Sequence, residues 1–126
     1  MVTLKNIQES HNRIKDFIHC TPVLSSRNLN RLIGAEVVCK CENFQKAGSF
    51  KMRGATNAIE LLSADGLNKG VATASSGNHG AALSMAAKRR GARVTVVMPN
   101  DSSAIKVENV NRNGGEIIWC EPNQLS

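Results

Sequence analysis

Val71-Ala72-Thr73-Ala74-Ser75-Ser76-Gly77-Asn78-His79-Gly80-Ala81-Ala82-Leu83-Ser84-Met85-Ala86-Ala87-Lys88 is the stretch that decides how this 126-residue chain folds. Its first four residues read as a short apolar strand and its last eight as a helix, with a tight polar turn between them. Strand, turn and helix in that order aim several backbone N–H groups at one point, the arrangement that holds an anion. Two hydroxyls, a carboxamide and an imidazole share the turn, more polar chemistry than a structural turn requires. The plainer reading makes Ser75 or Ser76 an ordinary cap starting an ordinary helix. Both readings stand at this point.

The same alternation continues downstream. Residues 78–90 read as a helix, 93–98 as a strand, 102–113 as a helix and 116–120 as a strand. Val94-Thr95-Val96-Val97 is short, β-branched and nearly continuous in apolarity, as in a strand buried on both faces. Strands separated by helices of three to four turns form βαβ units, so the expected fold class is α/β with a parallel sheet and flanking helices. Ligands in such sheets bind beyond the carboxyl ends of the strands, where the turn 75–80 lies.

Upstream, Leu4, Ile7, Ile14 and Phe17 give residues 3–17 an amphipathic helical pattern. Cys20-Thr21-Pro22-Val23-Leu24 is a break, because Pro22 biases Thr21 towards an extended conformation. Ser25 or Ser26 caps a short helix through Leu29 and Leu32 to Gly34. Residues 37–41 form a strand candidate, 42–48 a polar loop and 63–70 another loop. Between those loops a helix carries Ala55, Ala58, Ile59 and Leu62, with Ser49 as its expected N-cap and Lys51 in its first turn. Lysine is the wrong charge for a helix N-terminus, and a local rule broken at one position points to function. Beside Phe50 and partly desolvated, Lys51 is expected to be an improved amine nucleophile and a Schiff-base candidate.

Composition removes other classes. A net charge of +6 invites a nucleic-acid partner. However, the densest cluster, Lys88-Arg89-Arg90, sits at a helix end before Gly91, where cations complement the dipole and then meet solvent. Few aromatic residues are present and none interleaves with the basic ones, so nucleic acid is not an expected partner. No apolar run reaches membrane-spanning length, and the N-terminus lacks the apolar core of a secretory signal. Cys20, Cys39, Cys41 and Cys120 show neither redox nor zinc spacing, and no metal is expected. The strand alternation around Cys39 and Cys41 places both on one face, so they read as reduced core residues of a cytoplasmic protein.

Two further segments, Ser49-Phe-Lys-Met-Arg-Gly-Ala and Ser75-Ser-Gly-Asn-His-Gly, resemble fold-type II pyridoxal-phosphate enzymes, in the branch of threonine dehydratases and serine racemases. His19-Cys-Thr-Pro-Val-Leu and Cys41-Glu-Asn-Phe-Gln-Lys-Ala-Gly-Ser-Phe-Lys extend the likeness over nearly the whole chain. The resemblance implies pyridoxal 5'-phosphate as cofactor. Lys51 is then its Schiff-base lysine and the base at the substrate Cα, and Ser76 the acid/base of the opposite face. Phe50 and Asn78 become cofactor-binding residues, while Ser75, Ser76, Gly77, Asn78 and His79 hold the substrate carboxylate. The implied reaction is loss of water and ammonia from serine or threonine to give a 2-oxo acid, or racemisation of serine.

By the same likeness, residues 1–50 belong to the larger domain of such enzymes and 51–126 to most of the smaller one. The family's glycine-rich phosphate loop lies further downstream than Ser126, and Gly114-Gly115 precedes a strand and cannot replace it. Apolar faces in residues 1–50 are expected to be left exposed and to drive homo-oligomer formation. The alternative function is a non-catalytic folded module or association partner that keeps the motifs without the chemistry.

Overall fold

Local signals account for most of the elements in the computed structural model, which describes residues 1–122. The last four residues of the expected 51–126 domain lie outside that range. Helix α1 (Leu4–Ile14) starts at Thr3, whose Oγ accepts from the Asn6 N–H at 3.3 Å while the Asn6 carboxamide oxygen accepts from the Thr3 N–H at 3.0 Å. This reciprocal box satisfies two donors that no helical carbonyl reaches. Helix α2 (Arg27–Ile33) is capped by Ser26 and stops at Gly34, whose φ of 72° lies in the left-handed region open to glycine.

Strands β1 (Val23–Ser25) and β2 (Val38–Lys40) pair antiparallel, with Leu24 opposite Cys39. The segment read as a break therefore holds a strand; its partner lies beyond α2, outside any local window. The hairpin is exposed along both strands, so its alternation produces no buried side. That overturns the expected core placement of the cysteines: Cys20 and Cys39 are exposed, Cys41 and Cys120 half-buried, and all four thiols are free.

The rest is the α/β body. It comprises α3 (Lys51–Glu60), α4 (Ala64–Lys69), β3 (Val71–Ala74), α5 (Asn78–Arg89), β4 (Val94–Pro99), α6 (Ala104–Arg112) and β5 (Gly115–Cys120). The sheet runs β3-β4-β5, all parallel, with Val71 opposite Val94 and Val97 opposite Ile118. Helix α4 replaces an expected loop. Ser63 caps it through the Gly66 N–H at 3.2 Å, and Asp65 pairs with Lys69 at 2.7 Å. Its glycine and its length of one and a half turns hid it from periodicity.

Helix α5 lies on the sheet with an alanine face: Ala82, Ala86 and Ala87 are fully buried, as is Ser84. Small side chains let the backbones approach closely. A Cβ on Gly80 would stand 2.8 Å from Val96 Cγ1, and one on Gly115 would run into Ser84 Oγ and stand 2.7 Å from Val110 Cγ1. At the other end, Arg89 and Arg90 both pair with Glu60 of α3, and the Arg89 guanidinium lies 3.6 Å from the Phe17 ring centroid. The cluster read as solvated is thus a fastening between α3, α5 and the end of the N-terminal helix segment.

The N-terminal segment is tied to α3 by polar groups. Arg53 donates to both oxygens of Glu42, at 2.8 and 2.6 Å, and Thr21 donates to the same carboxylate at 2.5 Å. The buried Gln45 brackets His19, accepting from its N–H at 2.8 Å and donating to its carbonyl at 2.9 Å. As expected, apolar side chains in residues 1–50 remain exposed, among them Leu4, Val23, Leu24, Leu32 and Val38.

Two outcomes follow for stability. Gly80→Ala gains helix propensity but forces a methyl into Val96, so urea unfolding is expected to show a net loss of about 1–3 kcal/mol. The Arg53 and Thr21 hydrogen bonds hold the Glu42 carboxyl at about 2, below its ordinary 4.5. A depressed carboxyl stabilises the fold fully above pH 4.5 and loses that contribution as pH falls from 4.5 towards 2. After solvent screening the contribution is about 1–2 kcal/mol, so Glu42→Gln is expected to lose that amount at pH 7 and to flatten the stability profile through the acid window.

Candidate functional site

Ser75 builds the turn. Its N–H donates to the Val97 carbonyl at 2.9 Å, continuing the β3–β4 ladder one residue past the strand. Its Oγ accepts from the Gly77 N–H at 3.2 Å and the Gly80 N–H at 3.0 Å. Gly77 holds the N-cap position without a side chain, and Ser75, two residues earlier, supplies the capping oxygen, so the plainer reading of the turn holds for this residue in function. The anion reading survives beside it. Among the described residues, the N–H groups of Ser76, Asn78 and His79 meet no acceptor, and their side chains make no hydrogen bond. These donors lie at the positive end of the α5 dipole.

Lys51 is the first residue of α3, in a first turn without an acidic side chain. The expected cap differs: Phe50 takes the cap position in a helical conformation, and Ser49 contributes its carbonyl to the Met52 N–H at 3.3 Å. Ser49 Oγ is buried without a protein partner. Lys51 is exposed rather than partly desolvated, because Phe50, itself 64% exposed, covers only one side of it. The Lys51 Nζ lies 5.8 Å from the Phe50 ring centroid and has no ion pair among the described residues.

Lys51, Ser75, Ser76 and His79 line one cleft of about 580 Å³, together with Ala74, Pro99 and Pro122. The cleft sits at the carboxyl ends of β3 and β4. Phe50, Gly77 and Asn78 are not on its wall: Phe50 flanks Lys51, Gly77 is buried beneath the turn, and Asn78 is an exposed first helical residue. Sequence reasoning missed Lys106 of α6, whose stem presses on Gly77 so closely that a Cβ there would stand 3.0 Å from Lys106 Cδ. It also missed Glu42 and Gln45, which anchor the loop that delivers Lys51. Their signal was a polar E-x-x-Q run between a strand and the lysine, read simply as solvated loop.

The donor set favours one kind of chemistry. A free primary amine opposite two hydroxyls and an imidazole fits attachment of an aldehyde cofactor and proton transfer beside it. N–H groups at the α5 start fit a carboxylate or the ring oxygen of such a cofactor. Among the described residues, no cluster of histidine, cysteine or carboxylate groups is arranged to hold a metal, and no helix is long and apolar enough to cross a membrane.

Comparison with known proteins points the same way. The family model described as "Pyridoxal-phosphate dependent enzyme" matches residues 14–125. The chain is 51% identical to a serine racemase of Dictyostelium discoideum over 120 residues, 95% of this chain and 37% of that protein. It is 48% identical to a beta-hydroxyaspartate dehydratase of Paracoccus denitrificans over 124 residues, 98% of this chain and 39% of that protein. The solved structure of maize serine racemase superposes with a TM-score of 0.93 at 46% identity, covering 99% of this chain and 38% of that one. The chain thus spans a little over a third of the length of these relatives.

The cap itself is testable. Ser75→Ala removes the acceptor shared by two buried N–H groups, and a loss of about 1 kcal/mol is expected in thermal unfolding. Amide exchange at Gly77 and Gly80 should accelerate more than at the middle of α5.

Proposed function

Because the chain belongs to the pyridoxal-phosphate-dependent enzyme family, with the fold-type II architecture, we propose that it carries the amine and the carboxylate cradle of a dehydratase or racemase of hydroxy amino acids. Serine and threonine are the proposed substrates, and the products of dehydration are a 2-oxo acid and ammonia. The observation that carries this reading is the meeting of Lys51, Ser75, Ser76 and His79 on one cleft wall at the carboxyl ends of β3 and β4. The names of the relatives, racemase for serine and dehydratase for beta-hydroxyaspartate, support the same substrate class.

Pyridoxal phosphate supplies an electron sink that makes a substrate Cα–H acidic. The chain's own residues do the rest. The Lys51 amine would hold the cofactor and would take the Cα proton on its own face. The Ser76 hydroxyl serves the opposite face, which racemisation needs and dehydration does not. The free N–H groups of Ser76, Asn78 and His79 hold the carboxylate with help from the α5 dipole, and the Ser75 hydroxyl keeps that turn in shape. Gly77, buried under the turn, lets the backbone come close to the carboxylate. Asn78, whose carboxamide makes no hydrogen bond among the described residues, and Phe50, next to Lys51, would be the residues that hold the cofactor from beside the cleft wall.

Residues 1–50 are assigned to the larger domain of the enzyme and 51–126 to the smaller, a division supported by the separate β1–β2 hairpin. Homo-oligomer formation is part of the proposal, supported by the exposed apolar residues of that N-terminal segment. Four free thiols support a reducing, cytoplasmic setting.

The test begins with the cofactor. Mixing the chain with pyridoxal phosphate is expected to give the visible absorption of a lysine-bound cofactor, and borohydride followed by peptide mapping should place the label on Lys51. Lys51→Ala should abolish both signals. Labelling spread over surface lysines, or none, would leave a non-catalytic folded module. Release of 2-oxo acid from serine or threonine by the same sample then separates binding from turnover.

A further inference from the structure

Away from the site, basic side chains converge where the end of α1 meets β2 and α3. A cleft of about 400 Å³ is lined there by His11, Lys15, His19, Cys20, Lys40 and Arg53 around Ile18. Five of these seven residues are basic and none is acidic. A concave wall of one sign focuses the potential on an incoming anion, and the volume is that of a small-molecule site.

The hydrogen bonds show what each group still offers. Arg53 spends Nε and one terminal nitrogen on Glu42, leaving its other terminal nitrogen without a partner. The Glu42 carboxylate, already taken by Arg53 and Thr21, does not line the cleft. Lys40 Nζ donates to the Thr21 carbonyl at 2.6 Å, a neutral acceptor, and the Glu42 carboxylate meets its charge only at longer range. His19 Nδ1 lies 3.0 Å from the Phe44 carbonyl oxygen. A carbonyl only accepts, so Nδ1 carries a proton, and Nε2 donates to an anion only when it is protonated as well. Lys15 and His11 have no side-chain partner among the described residues.

We infer that this cleft binds a small oxyanion of the phosphate class, free or carried on a small metabolite, separately from the amino-acid site. The anion bridges α1 through His11 and Lys15, β2 through Lys40, and α3 through Arg53. It thereby clamps the N-terminal segment onto the helix that begins with Lys51.

The three histidines of the chain make the test specific, since His11 and His19 line this cleft and His79 lines the other. Imidazole nitrogen–proton spectra are followed while inorganic phosphate replaces chloride at constant ionic strength. His11 and His19 are expected to shift together and saturably, and Lys15→Gln, an exposed substitution, should weaken the affinity about fivefold or more. A second variant, Lys40→Gln, should weaken it similarly. Shifts confined to His79, no saturable shift, or an affinity indifferent to both substitutions would overturn the inference. A parallel titration with glycerol phosphate distinguishes the sources. Equal affinity assigns the cleft to the free ion, and tighter binding of the ester assigns it to a phosphorylated metabolite.

Discussion

The contact between the bare Cα of Gly80 and Val96 is the constraint on which the rest of this structure depends. With no Cβ in the way, the first turn of α5 lies directly on the central strand. Gly115 repeats the arrangement from the sheet side, against Ser84 and Val110. Between these two points α5 presents mostly alanines, because a larger side chain would lift the helix off the sheet. The turn before the helix is held accordingly. Its N–H groups emerge at the mouth of the sheet, where the parallel strands end and a ligand has room. Packing density, not the polar turn by itself, sets the height of the cradle.

The opposite wall depends on polar bonds. Lys51 begins a helix in which Ala55 and Ile59, four and eight residues on, are buried and apolar, but the loop that leads into it is fixed by Glu42 and Gln45. Glu42 joins Thr21 to Arg53, two residues past the lysine, and Gln45 locks onto the backbone of His19. Both carboxylate oxygens of Glu42 and both ends of the Gln45 carboxamide are partnered, which makes the loop specific as well as stable. The same Arg53 reaches the basic cleft on its far side. Loop, lysine helix and cleft therefore share one guanidinium.

Periodicity served well wherever burial was complete. Strand β4 and helix α5 are apolar or small along whole faces, so their patterns carried type and place together. It failed where tertiary pairing decided the outcome: β1 exists because β2 is present across α2, and α4 exists because Ser63 caps it. The cysteines misled for a related reason, since alternation implies a buried side only when something covers the hairpin. As for the site, the turn 75–80 was readable from its polar density and from the strand before it. Lys51 was singled out by its charge at a helix start, but its meeting with the turn rested on a likeness between motifs, as no local signal spans α3, α4 and β3. The roles of Glu42, Gln45 and Lys106 are visible only once distant segments are brought together.

Ser75 belongs to two structures at once: its backbone extends the sheet and its side chain starts the helix. A residue held at both ends leaves no slack between them. That wall of the cleft is thus continuous with the sheet. On the other wall the chain turns at Gly48, with φ of 71°, just before the lysine helix begins. The cleft joins a wall set by packing on the sheet to a wall whose lysine enters through a glycine turn and a loop fastened by Glu42 and Gln45.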